Sequence, residues 1–170
     1  MTKAVRVHKV GGPEALVYEA VDVPAPGPGE VHIRQHAVGL NFIDVYYRTG
    51  LYKAPGLPFI AGNEASGEVL AVGPGVTNFH PGDRVAYYVN LGAYASERNI
   101  PWEKLVKLPD HITYEQGAVL MLKECHARIA GTHARSHGPR QAREGLVVVH
   151  VKRAHGRHSS DWPGPAAELE

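Results

Sequence analysis

The sequence predicts a mainly β fold, a small β-barrel carrying short helices, and three observations lead there. Short runs of apolar, β-branched and aromatic residues recur along most of the chain. Turn signals separate them, among them Gly11-Gly12-Pro13, Gly73-Pro74-Gly75 and Pro81-Gly82-Asp83. One run sets Val31, Ile33, Gln35 and Ala37 against His32, Arg34, His36 and Val38, the period of a half-exposed strand. Many short strands at such spacing, with turns between them, close into a barrel.

Taken in order, residues 4–7 and 16–23 read as two strands about the Gly11-Gly12-Pro13 turn, a hairpin-like start. A proline- and glycine-rich loop, 24–30, leads into the strand 31–38. His32 and His36 fall on its more polar face and read as solvated side chains, because the sequence sets no carboxylate or further metal ligand near them. Asn41 ends that strand, residues 42–48 form a short helix, and Gly50 is its C-terminal stop. Residues 52–60 make a proline-broken loop that should overlie the site described below. Gly62 and Gly67 read as turn positions, and Glu64 as a hydrogen-bonding partner for site residues. Further short strands are expected at 69–72, 84–89 and 93–98. Thr113 and Gln116 have capping-box spacing and open a helix that Ala118, Val119, Met121 and Leu122 continue.

Composition narrows the function classes. A chain of 170 residues is long enough for a real core and reads as one domain. Eighteen basic and 17 acidic residues leave a net charge of +1, so no global field favours nucleic acid or a membrane surface, and the expected partner is a small molecule. Cys125 is the single cysteine, which excludes an intramolecular disulfide and a cysteine-based metal framework and suits a reducing compartment. The N-terminus has no apolar signal-peptide run, and no stretch approaches the roughly 20 apolar residues of a membrane helix. A cytoplasmic location is expected.

The stretch Asn41 to Tyr52 is the chemical centre, with Asn41, Asp44, Tyr46, Tyr47 and Tyr52 packed into a few turns of chain. In the helix Phe42 and Tyr46 share one face while Asp44 points elsewhere. A phenol can stack on a planar ligand and still hydrogen-bond to it, and an amide offers both donor and acceptor. The stretch therefore reads as one wall of a site for a planar molecule with polar edges. Each residue also has a plainer reading: Tyr46 as a core-edge aromatic, Asp44 as a helix-surface acid, Tyr52 as a pin for the loop.

The run Asn41-Phe42-Ile43-Asp44, with Tyr46, Arg48 and Gly50-Leu51-Tyr52, resembles the zinc-independent quinone oxidoreductases of the medium-chain dehydrogenase/reductase superfamily. The resemblance continues through Gly62-Asn63-Glu64-Ala65-Ser66-Gly67, Val72-Gly73, Gly82-Asp83-Arg84-Val85, Gly92-Ala93-Tyr94-Ala95 and Leu122-Lys123. It implies that residues 1–123 form a GroES-like, partly open β-barrel, the substrate domain of an enzyme that passes hydride from NADPH to a quinone or enone. Asn41, Phe42 and Lys123 would then meet the cofactor, and Tyr46 and Tyr52 would be the catalytic aromatics. The bland alternative for Lys123 is a solvated charge. Zinc-dependent relatives place a histidine ligand where Asn63 stands, and an amide is a poor zinc ligand, so no metal is expected. An intact relative is a possible homodimer.

After Lys123 the pattern stops. The family continues into a parallel α/β domain with a glycine-rich turn that cradles pyrophosphate. Here Glu124-Cys125-His126-Ala127-Arg128 follows, only 145–150 resembles the family's first strand, and Val151-Lys152-Arg153-Ala154 stands where glycines belong. Residues 124–170 hold six of eleven histidines and six of eleven arginines but neither Phe nor Tyr. A reading frame lost after Lys123, regained near Gly145 and lost again after His150 accounts for both facts. A genuine disordered tail is the rival, and a metal-binding tail using His133 and His137 a third reading. The expectation is an N-terminal fragment of low activity. Its alternative is a non-enzymatic GroES-like binding or assembly module that presents 51–60 to a partner.

Overall fold

The computed structural model describes residues 1–89, 91–130 and 148–150; from Lys123 onward the description covers backbone alone. In chain order the elements are β1 (Thr2–Val7), β2 (Leu16–Val21), β3 (Glu30–Gly39), α1 (Phe42–Thr49), β4 (Phe59–Ile60), β5 (Glu64–Val72), β6 (Arg84–Tyr88), β7 (Glu97–Pro101), β8 (Leu105–Lys107), α2 (Tyr114–Ala130) and β9 (Val148–His150). The fold is mainly β, as the turn-punctuated strands require.

Two antiparallel sheets make a partly open barrel. One has the order β2-β1-β4, the other β7-β3-β5-β6-β8, and β9 pairs with β3 over Ala37–Gly39. The sheets are tied where β1 meets the chain before β7: Val5 N–H donates to the Tyr94 carbonyl at 2.7 Å and Ser96 N–H to that of Lys3 at 2.8 Å. The period-2 pattern of β3 decides its burial. Val31, Ile33, Gln35 and Ala37 point inward, while His32, Arg34 and His36 lie on the half-buried outer face.

Val31 and Ile33 pack with Val69, Val85, Tyr87 and Ile100 in the main core. Gln35 is buried among them because its amide is satisfied at both ends: Nε2 donates to the Ala95 carbonyl at 2.6 Å, and Oε1 accepts from the Tyr87 hydroxyl. A second cluster, Val7, Phe59, Ala61 and Leu91, lies under α1 with Tyr47 and Tyr94 against it.

Several expectations need correction. The strand expected at 93–98 lies later, at Glu97–Pro101. Residues 92–94 instead donate backbone bonds to Ile60, Gly62 and Ala61, which binds this segment to the approach to β5. Gly67 lies inside β5 and is no turn. His32 and His36 are not simply solvated. His32 Nε2 sits 3.4 Å from Glu97, and His36 sits 3.7 Å from Glu68 and stacks on Tyr114 at 4.3 Å between centroids. Tertiary packing brings in carboxylates that are remote in sequence.

That Tyr114 ring anchors α2. It also carries the Arg84 guanidinium at 4.7 Å, and Arg84 in turn donates to the carbonyls of Pro109, Asp110 and Ile112. The capping box at the helix start forms as read. Thr113 N–H donates to Gln116 Oε1 at 2.9 Å, and Gln116 N–H to Thr113 Oγ1 at 3.2 Å. The helix runs past Lys123 to Ala130. No helix among the described residues is long and apolar enough to cross a membrane.

Changing Tyr87→Phe should leave the buried Gln35 oxygen without its donor at nearly unchanged volume, costing about 1–2 kcal/mol. Urea unfolding is expected to show a lower midpoint at an unchanged slope. A wild-type midpoint would show that the bond contributes nothing.

Candidate functional site

The site is built on α1. Its N-terminus is held by Asn41, extended at φ −137° and ψ 153°, and it ends at Gly50 in the left-handed conformation at φ 83°, where a side chain would be strained. One face turns outward. Phe42 is 80% exposed, Tyr46 36% and Tyr52, from the following loop, 46%. The Tyr46 and Tyr52 rings lie 5.3 Å apart, tilted by 57°, and Tyr52 meets Tyr47 edge-on at 5.8 Å. Tyr52 N–H also donates to the Tyr46 carbonyl at 3.0 Å, so the loop start is fixed to the helix. The structure thus brings Phe42, Tyr46 and Tyr52 into one exposed aromatic wall.

The other face of α1 buries a carboxylate. Asp44 is 7% exposed, which corrects its reading as a helix-surface acid. One of its oxygens accepts from Asn41 N–H at 2.8 Å and from the Tyr94 hydroxyl at 2.6 Å; the other accepts from Asn63 Nδ2. Burial pushes the Asp44 carboxyl above its usual range, and the bonds from Tyr94, Asn41 and Asn63 pull it partly back. Burial, and then the neighbouring Asp44 charge, hold the Tyr94 phenol well above its ordinary value.

Asn63 is fully buried and used at both ends of its amide. Nδ2 meets Asp44, and Oδ1 accepts from Leu91 N–H at 3.1 Å. Among the described residues no cluster of three His, Cys, Asp or Glu side chains is placed to hold a metal ion.

Asn41 belongs to both worlds. Its Nδ2 donates to Glu64 Oε1 at 2.8 Å, one bond from an amide that has more sites to offer. Glu64, fully buried at the start of β5, accepts with its other oxygen from the backbone N–H of Leu122 at 2.8 Å. Lys123, next along α2, lies with its side chain outside the described residues. The expected roles of His133 and His137, and the tail reading itself, also fall outside them, apart from the α2 backbone to Ala130 and β9.

Gly39 makes this junction possible. A Cβ there would stand 2.5 Å from Glu64 Oε1 and 2.6 Å from the Ala118 carbonyl. The part played by Tyr94 was missed by sequence reasoning, since an aromatic fifty residues from Asp44 carries no local sign of its partner. A pocket of about 590 Å³, lined by Arg6, Asp22, Pro58, Phe59 and Leu91 among others, opens on the smaller sheet and includes none of Asn41, Phe42, Tyr46 or Tyr52.

Because all the Asp44 partners donate, Asp44→Asn cannot be repaired by rotating amides: its NH₂ meets Asn63 Nδ2, and flipping Asn63 sets its own NH₂ against Leu91 N–H. A loss of about 2 kcal/mol at neutral pH is expected. The folded carboxyl titrates above the unfolded one, so its favourable contribution is present below the unfolded value near 3.8 and is lost as pH rises through the folded value. Denaturant titrations from pH 3 to 7 should therefore show wild type losing part of its lead over Asp44→Asn as pH rises. A lead that widens with pH contradicts this sign.

Residues 27–110 match the alcohol dehydrogenase GroES-like domain. Among curated proteins, the chain is 54% identical over 124 residues to a quinone oxidoreductase of Pseudomonas aeruginosa and 46% over 126 residues to quinone oxidoreductase 1 of Escherichia coli. Each match covers 72% of this chain and 38% of the relative. The crystal structure of quinone oxidoreductase from Pseudomonas syringae pv. Tomato superposes with a TM-score of 0.74 at 48% identity, covering 81% of this chain and 43% of that one. The Escherichia coli quinone oxidoreductase complexed with NADPH gives 0.72 at 41%, covering 76% and 41%. The chain thus spans about two-fifths of the length of these relatives. Residues 27–110 thus form an alcohol dehydrogenase GroES-like domain, and the chain is similar to the N-terminal part of quinone oxidoreductases of the medium-chain dehydrogenase/reductase superfamily.

Proposed function

We propose that this chain is the substrate half of an NADPH-dependent quinone oxidoreductase, acting on a quinone or enone. The observation that carries the reading is the exposed wall of Phe42, Tyr46 and Tyr52 on a helix whose opposite face is locked by Asp44. Exposed aromatic rings on a rigid support offer stacking area at little entropic cost, which suits a planar ligand. The Escherichia coli relative was solved with NADPH, and the wall fits a nicotinamide or quinone ring.

When bound, NADPH supplies the hydride. Phe42 and Asn41 face the cofactor, Asn41 through its amide, with Lys123 on the neighbouring helix. Tyr46 and Tyr52 stack on or hydrogen-bond the acceptor and exclude water from it, and the proton for the reduced acceptor comes from the Tyr52 hydroxyl or from water. No metal takes part in this reading, since Asn63 serves Asp44 and Leu91 where a ligand would stand. A cytoplasmic protein, homodimeric in its intact form, completes it.

Residues 1–123 form the GroES-like domain in this proposal, and 124–170 the altered start of the cofactor domain. Binding through half a cleft is weak, so low activity follows. The assembly-module reading is not favoured: its partner loop is bonded down at both ends, by Tyr52 to Tyr46 and by the pairing of Phe59–Ile60 with β1.

Two measurements test the proposal. Titrating the ¹⁵N-labelled chain with NADPH should shift amides between residues 41 and 52 with Kd on the order of 1 mM, and Tyr52→Phe should weaken the response without moving the melting temperature. Shifts confined to other surfaces would reject the site, and submicromolar binding would reject the half-cleft reading. Resequencing the gene from the Met121 codon should reveal a frame encoding a glycine-rich turn. An unchanged reading with no such frame would make 124–170 a genuine tail.

A further inference from the structure

We infer that Arg98 is a positioning residue for the aromatic wall and acts through Leu91: its guanidinium holds the corner at Leu91 and Gly92 in the conformation that keeps the Asn63 amide turned toward Asp44. The inference deepens the proposed function and rests on its reading of the wall on α1.

The corner is an unfavourable one. Leu91 is the only non-glycine residue with a left-handed backbone among the described residues, at φ 72°, and its side chain packs in the cluster with Val7, Phe59 and Ala61. Two hydrogen bonds hold its backbone there. Its N–H donates to Asn63 Oδ1 and its carbonyl accepts from Arg98 Nη1, both at 3.1 Å. Gly92, left-handed as well at φ 98°, leaves room for the guanidinium, because a Cβ there would stand 2.7 Å from Arg98 Nη1.

Arg98 is committed to this neighbourhood. Its Nε donates to the Asn99 carbonyl at 3.3 Å, and its guanidinium lies 5.4 Å from the centroid of the Tyr87 ring and beside the Tyr87 hydroxyl. Among the described residues no carboxylate pairs with it. Its donors serve backbone carbonyls and a phenol in place of a counter-ion.

Asn63 carries the effect to α1. Its backbone carbonyl accepts from Val89 N–H at 2.8 Å, its Oδ1 accepts from Leu91 N–H, and its Nδ2 donates to Asp44. Turning the peptide before Leu91 through half a rotation would relieve φ but set a carbonyl against Asn63 Oδ1. Flipping the Asn63 amide in response would set Oδ1 against the Asp44 carboxylate. The bond behind the wall therefore depends on the corner that Arg98 holds.

The test uses the full 170-residue chain labelled with ¹⁵N and reads the side-chain NH₂ signals of Asn63, which report its bond to Asp44. Arg98→Met keeps the apolar stem, removes the donors and should shift those signals. Glycine takes a left-handed backbone without steric penalty, so adding Leu91→Gly to Arg98→Met should return the signals to where Leu91→Gly alone puts them. Tyr87→Phe removes the hydroxyl beside Arg98, keeps the ring and should leave them in place. Unchanged Asn63 signals in Arg98→Met, a double variant as displaced as Arg98→Met, or an equal shift in Tyr87→Phe each overturn the clamp. Should Leu91→Gly fail to fold, Leu91→Asn takes its place, since Asn also accepts the left-handed region. Should Arg98→Met alone fail to fold, folding regained in the double variant supports the inference, and its absence overturns it. Arg98→Met should also weaken the NADPH-induced shifts at residues 41–52 by about threefold in Kd, within what one hydrogen bond contributes. Unaltered affinity overturns the positioning role, whereas a wild-type chain that gives no NADPH response overturns the cofactor reading while the Asn63 signals still decide the clamp.

Discussion

The structure turns on a buried carboxylate that is surrounded by donors. Asp44 takes hydrogen bonds from a backbone N–H, a phenol and an amide, which come from the start of α1, the segment before β7 and the approach to β5. A buried charge is tolerated only where such donors replace the water it has left. Satisfying Asp44 therefore fixes three pieces of chain against one another. The orientation of α1 is a consequence. With Asp44 inward, residues at the spacing of Phe42 and Tyr46 turn out toward solvent.

This arrangement separates a buried polar support from an exposed aromatic wall. Asp44, Asn63 and Tyr94 lie behind the helix and hold it; Phe42, Tyr46 and Tyr52 lie in front and are exposed. Asn41 stands at the boundary, bonded through its backbone to Asp44 and through its side chain to Glu64. Gln35, in the barrel wall, is paired in the same manner, between Ala95 and Tyr87. Asn63 uses its amide to join Asp44 to the Leu91 backbone. An amide can donate and accept at once, and that is what the position requires.

Much of the fold was legible in local sequence. The alternation of β3 foretold the burial of Val31, Ile33, Gln35 and Ala37, because the strand period leaves little choice once one face is apolar. Val38, read on the more polar face, is buried as well, past a register shift between Gln35 and Ala37. The capping box at Thr113 and the glycine stop at Gly50 formed where expected, since both depend on residues within a turn of one another. The strand expected at 93–98 was displaced because glycine and alanine there make bonds to residues 60–62, a preference no local pattern reveals. The histidines of β3 found carboxylates on β5 and β7, and that depends on strand order and register.

By itself, the sequence determined the barrel class, the place of the short helix, its exposed aromatic face and, through resemblance, the family to which residues 1–123 point. These follow from periodicity, turn chemistry and short motifs, all of which act over a few residues. Only the tertiary structure decided that Asp44 is buried, that Tyr94 and Asn63 complete its shell, and that Glu64 joins Asn41 to α2. Those pairings span 19 to 58 residues of chain. Which buried donor meets which acceptor is set by strand register and packing rather than by any neighbour in sequence.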